Sequence, residues 1–184
     1  MRRIETELPG VVVIEPDVYA DERGYFMESW NARRYRALGI AEEFVQDNLS
    51  YSGRGVLRGL HYQHPQGQGK LVSVLWGVVF DVAVDVRRGS PTFGRWVGYE
   101  LSSANRRQLY IPEGFAHGFA VVSEGALFHY KCTAYYERSL EGSIRWDDPD
   151  LGIRWPVEQP VLSTKDANAP LLRDVERLPD YKEN

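Results

Sequence analysis

The chain has 184 residues, room for one domain over residues 1–184 with a sizeable core and too little for two domains with separate cores. Hydrophobic residues at 43% and charged residues at 26% exclude a disordered or fibrous chain, and a net charge of -4 excludes a broad nucleic-acid surface, which needs a dense positive field. Cys132 is the only cysteine, no apolar stretch follows Arg2 and Arg3, and no apolar run of about 18 residues occurs, so the expectation is a cytoplasmic chain with no disulfide, no secretory signal and no membrane partner.

In chain order, Gly10 to Glu15 is a β-branched run suited to a strand near the start of the domain. Ser29 or Asn31 can cap a short helix through Ala32, Arg33, Arg34, Tyr35, Arg36, Ala37 and Leu38, with Gly39 placed to end it. From Leu71 to Val86 the pattern predicts two strands turned at Trp76-Gly77. In the second of these, Val78, Phe80, Val82, Val84 and Val86 point one way while Asp81, Ala83 and Asp85 point the other. Further strands are expected at roughly Trp96 to Leu101, Arg107 to Ile111, Gly118 to Val122 and Ala126 to Thr133. Turn residues at Ser90-Pro91, Ser102 to Asn105, Pro112-Glu113-Gly114 and Ser123-Glu124-Gly125 separate them. Many short strands with one early helix predict an all-β fold, a sandwich or barrel of the jelly-roll kind. From Asp147 onward, Trp155-Pro156 and Gln159-Pro160 mark an irregular tail that must lie across the barrel to be stable. No internal repeat or low-complexity linker interrupts the chain.

Two of the four histidines stand in unusual settings, His61 in Gly-Leu-His-Tyr-Gln and His117 in Gly-Phe-Ala-His-Gly-Phe. Arg58 precedes His61 and Lys70 follows shortly after, so a base and two cations can converge at one mouth. A metal site is the first rival, built from His61, His64, His117 and His129. Its spacing is poor: three residues along a strand put His61 and His64 on opposite faces, and His64 precedes Pro65 in a turn-like setting.

Ordered motifs along nearly the whole chain carry a family resemblance. They run from Asp21-Glu22-Arg23-Gly24-Tyr25-Phe26-Met27-Glu28 and Gln46-Asp47-Asn48-Leu49-Ser50 through Gly55-Val56-Leu57-Arg58-Gly59-Leu60-His61-Tyr62-Gln63 and Gln68-Gly69-Lys70-Leu71-Val72. They continue through Phe80 to Arg87, Ser90 to Gly94, Ile111 to Phe119, Tyr130-Lys131 and Ser163-Thr164-Lys165-Asp166. In these the chain resembles the dTDP-4-dehydrorhamnose 3,5-epimerase family of cupin-like jelly rolls. Ser73 departs from the arginine that often follows the Lys-Leu-Val of the family, a change expected to alter a contact near the mouth.

The resemblance implies His61 as general base, Asp166 as its orienting partner and Tyr130 as proton donor on the other side of the sugar, with Lys70 and His117 beside the ketone. It further implies Arg23, Glu28, Gln46, Asn48, Arg58, Glu141 and Lys165 around a dTDP-linked keto sugar, with Phe26 near the base. It implies no metal or redox cofactor, and a homodimer in which strands are shared between subunits. These residue types suit the chemistry. A C–H beside a ketone is acidic because its charge moves to the carbonyl oxygen, so the site needs a base active near neutral pH, a cation aimed at that oxygen and an acid on the opposite face. Histidine, lysine and protonated tyrosine fill those roles, and a carboxylate can fix the tautomer of the histidine. Both C3 and C5 flank the C4 ketone, so one enolate-stabilising centre can serve two inversions. Three alternatives remain at this point: a single-centre epimerase acting at C3 or C5, a metal-dependent cupin oxygenase, and a non-catalytic sugar-nucleotide binding module.

Overall fold

The structure is a computed structural model that describes residues 1–182. Its strands are β1 (Arg2–Glu5), β2 (Val12–Glu15), β3 (Val18–Asp21), β4 (Gly24–Met27), β5 (Gln46–Gly53), β6 (Leu57–Gln63), β7 (Lys70–Trp76), β8 (Val78–Asp85), β9 (Trp96–Ser102), β10 (Gln108–Ile111), β11 (Phe115–Val121), β12 (Gly125–Cys132) and β13 (Glu141–Ser143). Two short helices are α1 (Ala32–Ala37) and α2 (Thr164–Ala167). No helix among the described residues is long and apolar enough to cross a membrane.

The strands form a six-stranded sheet in the order β1-β2-β10-β7-β12-β5 and a five-stranded sheet in the order β13-β6-β11-β8-β9. The two sheets share one apolar interior, to which Val13, Val72, Leu109 and Phe128 contribute from the first and Val79, Ala83, Leu101 and Phe119 from the second. This is the all-β jelly roll the strand pattern predicts. Burying these aliphatic and aromatic side chains, at roughly 1.5–3 kcal/mol each, is the main force holding the sheets together.

The segment Leu71 to Val86 does turn at Gly77, but the two strands do not pair with each other. β7 pairs with β10 and β12, whereas β8 pairs with β11 and β9, so the turn carries the chain from one sheet to the other. Gly77 is required there: its φ is +85°, and a Cβ would lie 2.0 Å from the Gly125 carbonyl oxygen. The alternation along β8 holds, yet the valine side is not the barrel interior. Val82, Val84 and Val86 pack outward beneath Leu151, Leu172 and Leu178 of the C-terminal tail, while Val79, Asp81, Ala83 and Asp85 lie on the other face. The tail thus crosses the five-stranded sheet and forms a second core with it.

Asn31, not Ser29, caps α1, its Oδ1 accepting from the backbone N–H groups of Arg33 and Arg34. Leu38 falls outside the helix as its C-cap, and Gly39 follows with a φ of +83°. Tyr35 is fully buried against Val12, Ile14 and Leu71, fixing α1 to the outer face of the six-stranded sheet. The irregular tail contains one feature its composition does not announce, the single turn of α2, capped by the Ser163 hydroxyl accepting from the Asp166 N–H.

Candidate active site

A cavity of about 450 Å³ opens between the sheets, and the strand register explains which side chains reach it. At Gly59 the φ is +117° and a Cβ would meet the Gly118 Cα at 2.6 Å, so glycine lets β6 and β11 approach closely. The register shifts beside this contact, and His61 and His117 become direct cross-strand partners. Arg58 and His61 from β6, Lys70 from β7, His117 from β11, Tyr130 from β12 and Lys165 and Asp166 from α2 all line the cavity. A second cavity of about 310 Å³ has His61, Lys70 and Tyr130 in common with the first and adds Gln46, Asn48, Tyr136 and Glu141. His61 stands on the five-stranded sheet and Tyr130 on the six-stranded sheet, so the two face the space from opposite walls.

His61 Nε2 lies 2.6 Å from Asp166 Oδ1. Burial pushes the Asp166 carboxyl up, but the hydrogen bond and charge of His61, the Ser163 hydroxyl and Lys165 outweigh it and hold the group below the usual carboxylate range. Asp166 is therefore an anion that can orient the ring and stabilise an imidazolium. His117 makes a second pair, its Nε2 3.0 Å from both oxygens of Asp81, with both residues buried. Burial pushes His117 down and Asp81 up, and the partner of each works against that shift.

Lys70 is buried on the six-stranded sheet and lines the same cavity as the two histidines. Burial pulls its ammonium below the ordinary lysine value, partly offset by Cys132, Asp81 and Glu141. Those two carboxylates are already engaged, Asp81 by His117 and Glu141 by Lys165 at 2.7 Å, which leaves Lys70 on the cavity lining with no ion-pair partner among the described residues. Burial raises the Tyr130 phenol above the ordinary tyrosine value, which keeps it a proton donor at neutral pH. Arg58 is steadied by its Nε donating to Ser52 Oγ at 3.0 Å. The Gln46 amide donates to Asn48 Oδ1 at 3.0 Å, and Asn48 Nδ2 donates to the Cys132 sulfur at 3.5 Å.

Three residues named from sequence do not line either cavity. Arg23 sits at the tip of the β3–β4 hairpin in an ion pair with Asp21, and Phe26 on the same hairpin is 69% exposed. Glu28 accepts from Asn31 Nδ2 at 3.0 Å beside α1. The hairpin pairs with neither barrel sheet, and its Tyr25, 4.2 Å beneath the Arg106 guanidinium, borders with Met27 a groove on the outer face of the six-stranded sheet. Ser73 also lies away from the mouth expected for it: it accepts a hydrogen bond from Gln108 Nε2 at 3.1 Å in that groove. Sequence reasoning passed over Asp81, Tyr136 and Ser163. The signal for Asp81 was present as a carboxylate on the minority face of a valine-rich strand.

The fold and the paired histidines in its mouth define a cupin-like jelly roll of the sugar-nucleotide epimerase class. A family model described as dTDP-4-dehydrorhamnose 3,5-epimerase matches residues 5–174. The dTDP-4-dehydrorhamnose 3,5-epimerase of Shigella flexneri is 56% identical over 170 residues, covering 91% of this chain and 94% of its own. A crystal structure of the Legionella pneumophila dTDP-6-deoxy-D-glucose-3,5-epimerase in complex with dTDP-4-keto-L-rhamnose superposes with a TM-score of 0.97 at 58% identity, covering 99% of each chain. The dTDP-4-dehydrorhamnose 3-epimerase of Streptomyces niveus is 41% identical, covering 98% of this chain and 90% of its own. This chain belongs to the dTDP-4-dehydrorhamnose 3,5-epimerase family.

Proposed function

We propose that this enzyme epimerises C3 and C5 of dTDP-4-keto-6-deoxyglucose to give dTDP-4-keto-rhamnose, in dTDP-rhamnose biosynthesis. The observation that carries this reading is the placement of His61, paired with Asp166, and Tyr130 on opposite walls of one cavity that Lys70 also lines. His61 removes the proton from the carbon beside the ketone, and the electron pair moves to the C4 oxygen. Lys70 stabilises that oxyanion, and its low-dielectric surroundings strengthen the interaction. Tyr130 then returns a proton to the opposite face, which inverts the centre. Repeating the cycle at the other flanking carbon requires that the sugar shift and that His61 lose its proton and Tyr130 regain one by exchange with solvent, while the same C4 oxygen again carries the charge. Asp166 holds the His61 ring throughout, and Arg58 and Lys165 supply charge for the diphosphate. Identity of 56–58% to the double epimerases named above, against 41% to the 3-epimerase, favours inversion at both centres.

The enzyme works as a cytoplasmic homodimer in this reading. Two features support the dimer: the hairpin carrying Arg23 and the exposed Phe26, and the exposed Leu49, Tyr51, Leu75 and Trp76 along β5 and β7. Each hairpin then completes the site of the other subunit. Light scattering should give twice the chain mass, and mixing inactive His61→Ala with Arg23→Ala protein should restore part of the activity. A monomer, or no restoration, would contradict the shared site.

The reaction is tested by incubating the enzyme with dTDP-4-keto-6-deoxyglucose in heavy water and following the sugar by NMR. Deuterium at both C3 and C5 with formation of the rhamno product is expected. Deuterium at one carbon alone would replace the reading with a single-centre epimerase, and binding without exchange would make the protein a non-catalytic module.

A further inference from the structure

After β12 the chain runs without sheet partners until the 3-10 turn at Arg138–Leu140 and then β13. Four consecutive residues of this loop have a backbone group held by a glutamine side chain. Gln68 Nε2 donates to the Ala134 carbonyl at 2.9 Å, and Gln63 Nε2 donates to the Tyr135 carbonyl at 3.2 Å. The Tyr136 N–H donates to Gln46 Oε1 at 2.9 Å, and the Glu137 N–H donates to Gln63 Oε1 at 2.9 Å. An irregular loop has no ladder to satisfy its peptides, and here three amides stand in for one.

Gln63 is the centre of the arrangement. It is buried at the end of β6, opposite Glu141 in the pairing with β13. Its second N–H donates to the Gln66 carbonyl at 2.7 Å, so both amide hydrogens and the carbonyl are engaged within the protein. It borders the second cavity with little hydrogen-bonding capacity left for a ligand. What the loop presents instead is Tyr136, whose hydroxyl donates to Glu141 Oε2 at 3.2 Å, and Glu141 in turn accepts from Lys165.

We propose that Gln63 is a positioning residue for substrate affinity: by clamping residues 134–137 it fixes Tyr136 and Glu141 at the rim of the cavity, and it takes no part in the proton transfers at His61 and Tyr130. This rests on the reading that the cavity takes a dTDP-linked keto sugar.

The test compares Gln63→Met and Gln68→Met with the unaltered enzyme by steady-state kinetics on dTDP-4-keto-6-deoxyglucose and by amide hydrogen exchange without ligand. For Gln63→Met the KM should rise about tenfold with kcat within about twofold, and the amides of 135–137 should exchange about tenfold faster, as loss of the clamping hydrogen bonds implies. Gln68→Met, which breaks a single bond at the edge of the loop, should move both in the same direction by about threefold and guards against a Gln63 variant that fails to fold. A fall in kcat at constant KM, or unchanged loop exchange in both variants, would overturn the proposal. Failure of the unaltered enzyme to turn over would retire the functional reading itself, and the exchange data would still decide whether Gln63 holds the loop.

Discussion

Strand β8 carries two fully buried aspartates on one face, and they behave in opposite ways. Asp81, toward the cavity, has His117 as its hydrogen-bond partner, and burial pushes its carboxyl up. Asp85, at the end of the strand, accepts from Arg87 through the backbone N–H, Nε and a terminal nitrogen, and from the hydroxyls of Ser90 and Thr92 at 2.6 Å each. Burial raises Asp85 as well, but these donors outweigh it and hold the carboxyl below the usual range. Burial alone therefore does not set the protonation state; the donors gathered around each group do. The Asp85 end is further closed by the Arg87 guanidinium, which lies 4.4 Å from the Phe115 ring centre and 5.1 Å from that of Tyr181. One end of the barrel is saturated and shut, while the other gathers ionisable groups shifted by burial around a cavity, the pattern expected where protons must move.

Substitutions at the two ends should separate along that line. His61→Ala should have the largest effect, reducing solvent exchange at C3 and C5 by about 10³-fold as loss of a general base does; retained exchange would assign the base elsewhere. Asp85→Ala leaves Arg87, Ser90 and Thr92 without their acceptor and should cost about 3 kcal/mol in urea denaturation, with kcat of the folded enzyme within about twofold. A catalytic defect at full stability would erase the distinction between the ends. Asp166→Asn keeps an acceptor for the His61 ring but not the charge that stabilises the imidazolium, so kcat should fall about thirtyfold.

The smallest effect should come from Asp81→Asn, under about 1 kcal/mol, because the amide oxygen keeps a hydrogen-bond partner for His117 Nε2 in the same shape. The pH dependence should differ in sign. The folded-state value of Asp85 is depressed, so its contribution is present above the ordinary carboxylate pKa and lost as pH falls through the folded value. That of Asp81 is raised, so its contribution weakens as pH climbs from the ordinary carboxylate range through the folded value, and Asp81→Asn should remove that decline. Stability curves of Asp81→Asn and Asp85→Asn with the same pH slope would contradict the contrast.

Local rules in the sequence reach far in this molecule. Asn31, Tyr35 and Gly39 announce α1 through cap, buried face and stop, and β-branched runs between turn residues mark β2 and β7 to β12 to within a few residues, whereas β1, β3 to β6 and β13 carry no such local signal. What local rules cannot express is which sheet a strand joins. The turn at Gly77 looks like a hairpin turn, and only the pairings of β7 and β8 show a change of sheet. Likewise the valines of β8 look like the barrel core, but a tail from far along the chain covers them. The motifs bring His61, Lys70, His117, Tyr130 and Asp166 to one cavity from four strands and a four-residue helix too short to leave a periodic signal. Arg23, Phe26 and Glu28 belong to the same string of motifs yet stand apart from the cavity, since a motif records that residues occur together in sequence and not where the fold carries them.

His61 and Tyr130 are proposed to act on opposite faces of one sugar, and the Tyr130→Phe enzyme in heavy water decides whether they do. The variant should still wash deuterium into the starting sugar, since His61 can remove and return a proton on its own face, while formation of the inverted product falls by about 10²-fold or more. If exchange and product formation fell together, or if product formed at the normal rate, the phenol would not be the acid on the far face.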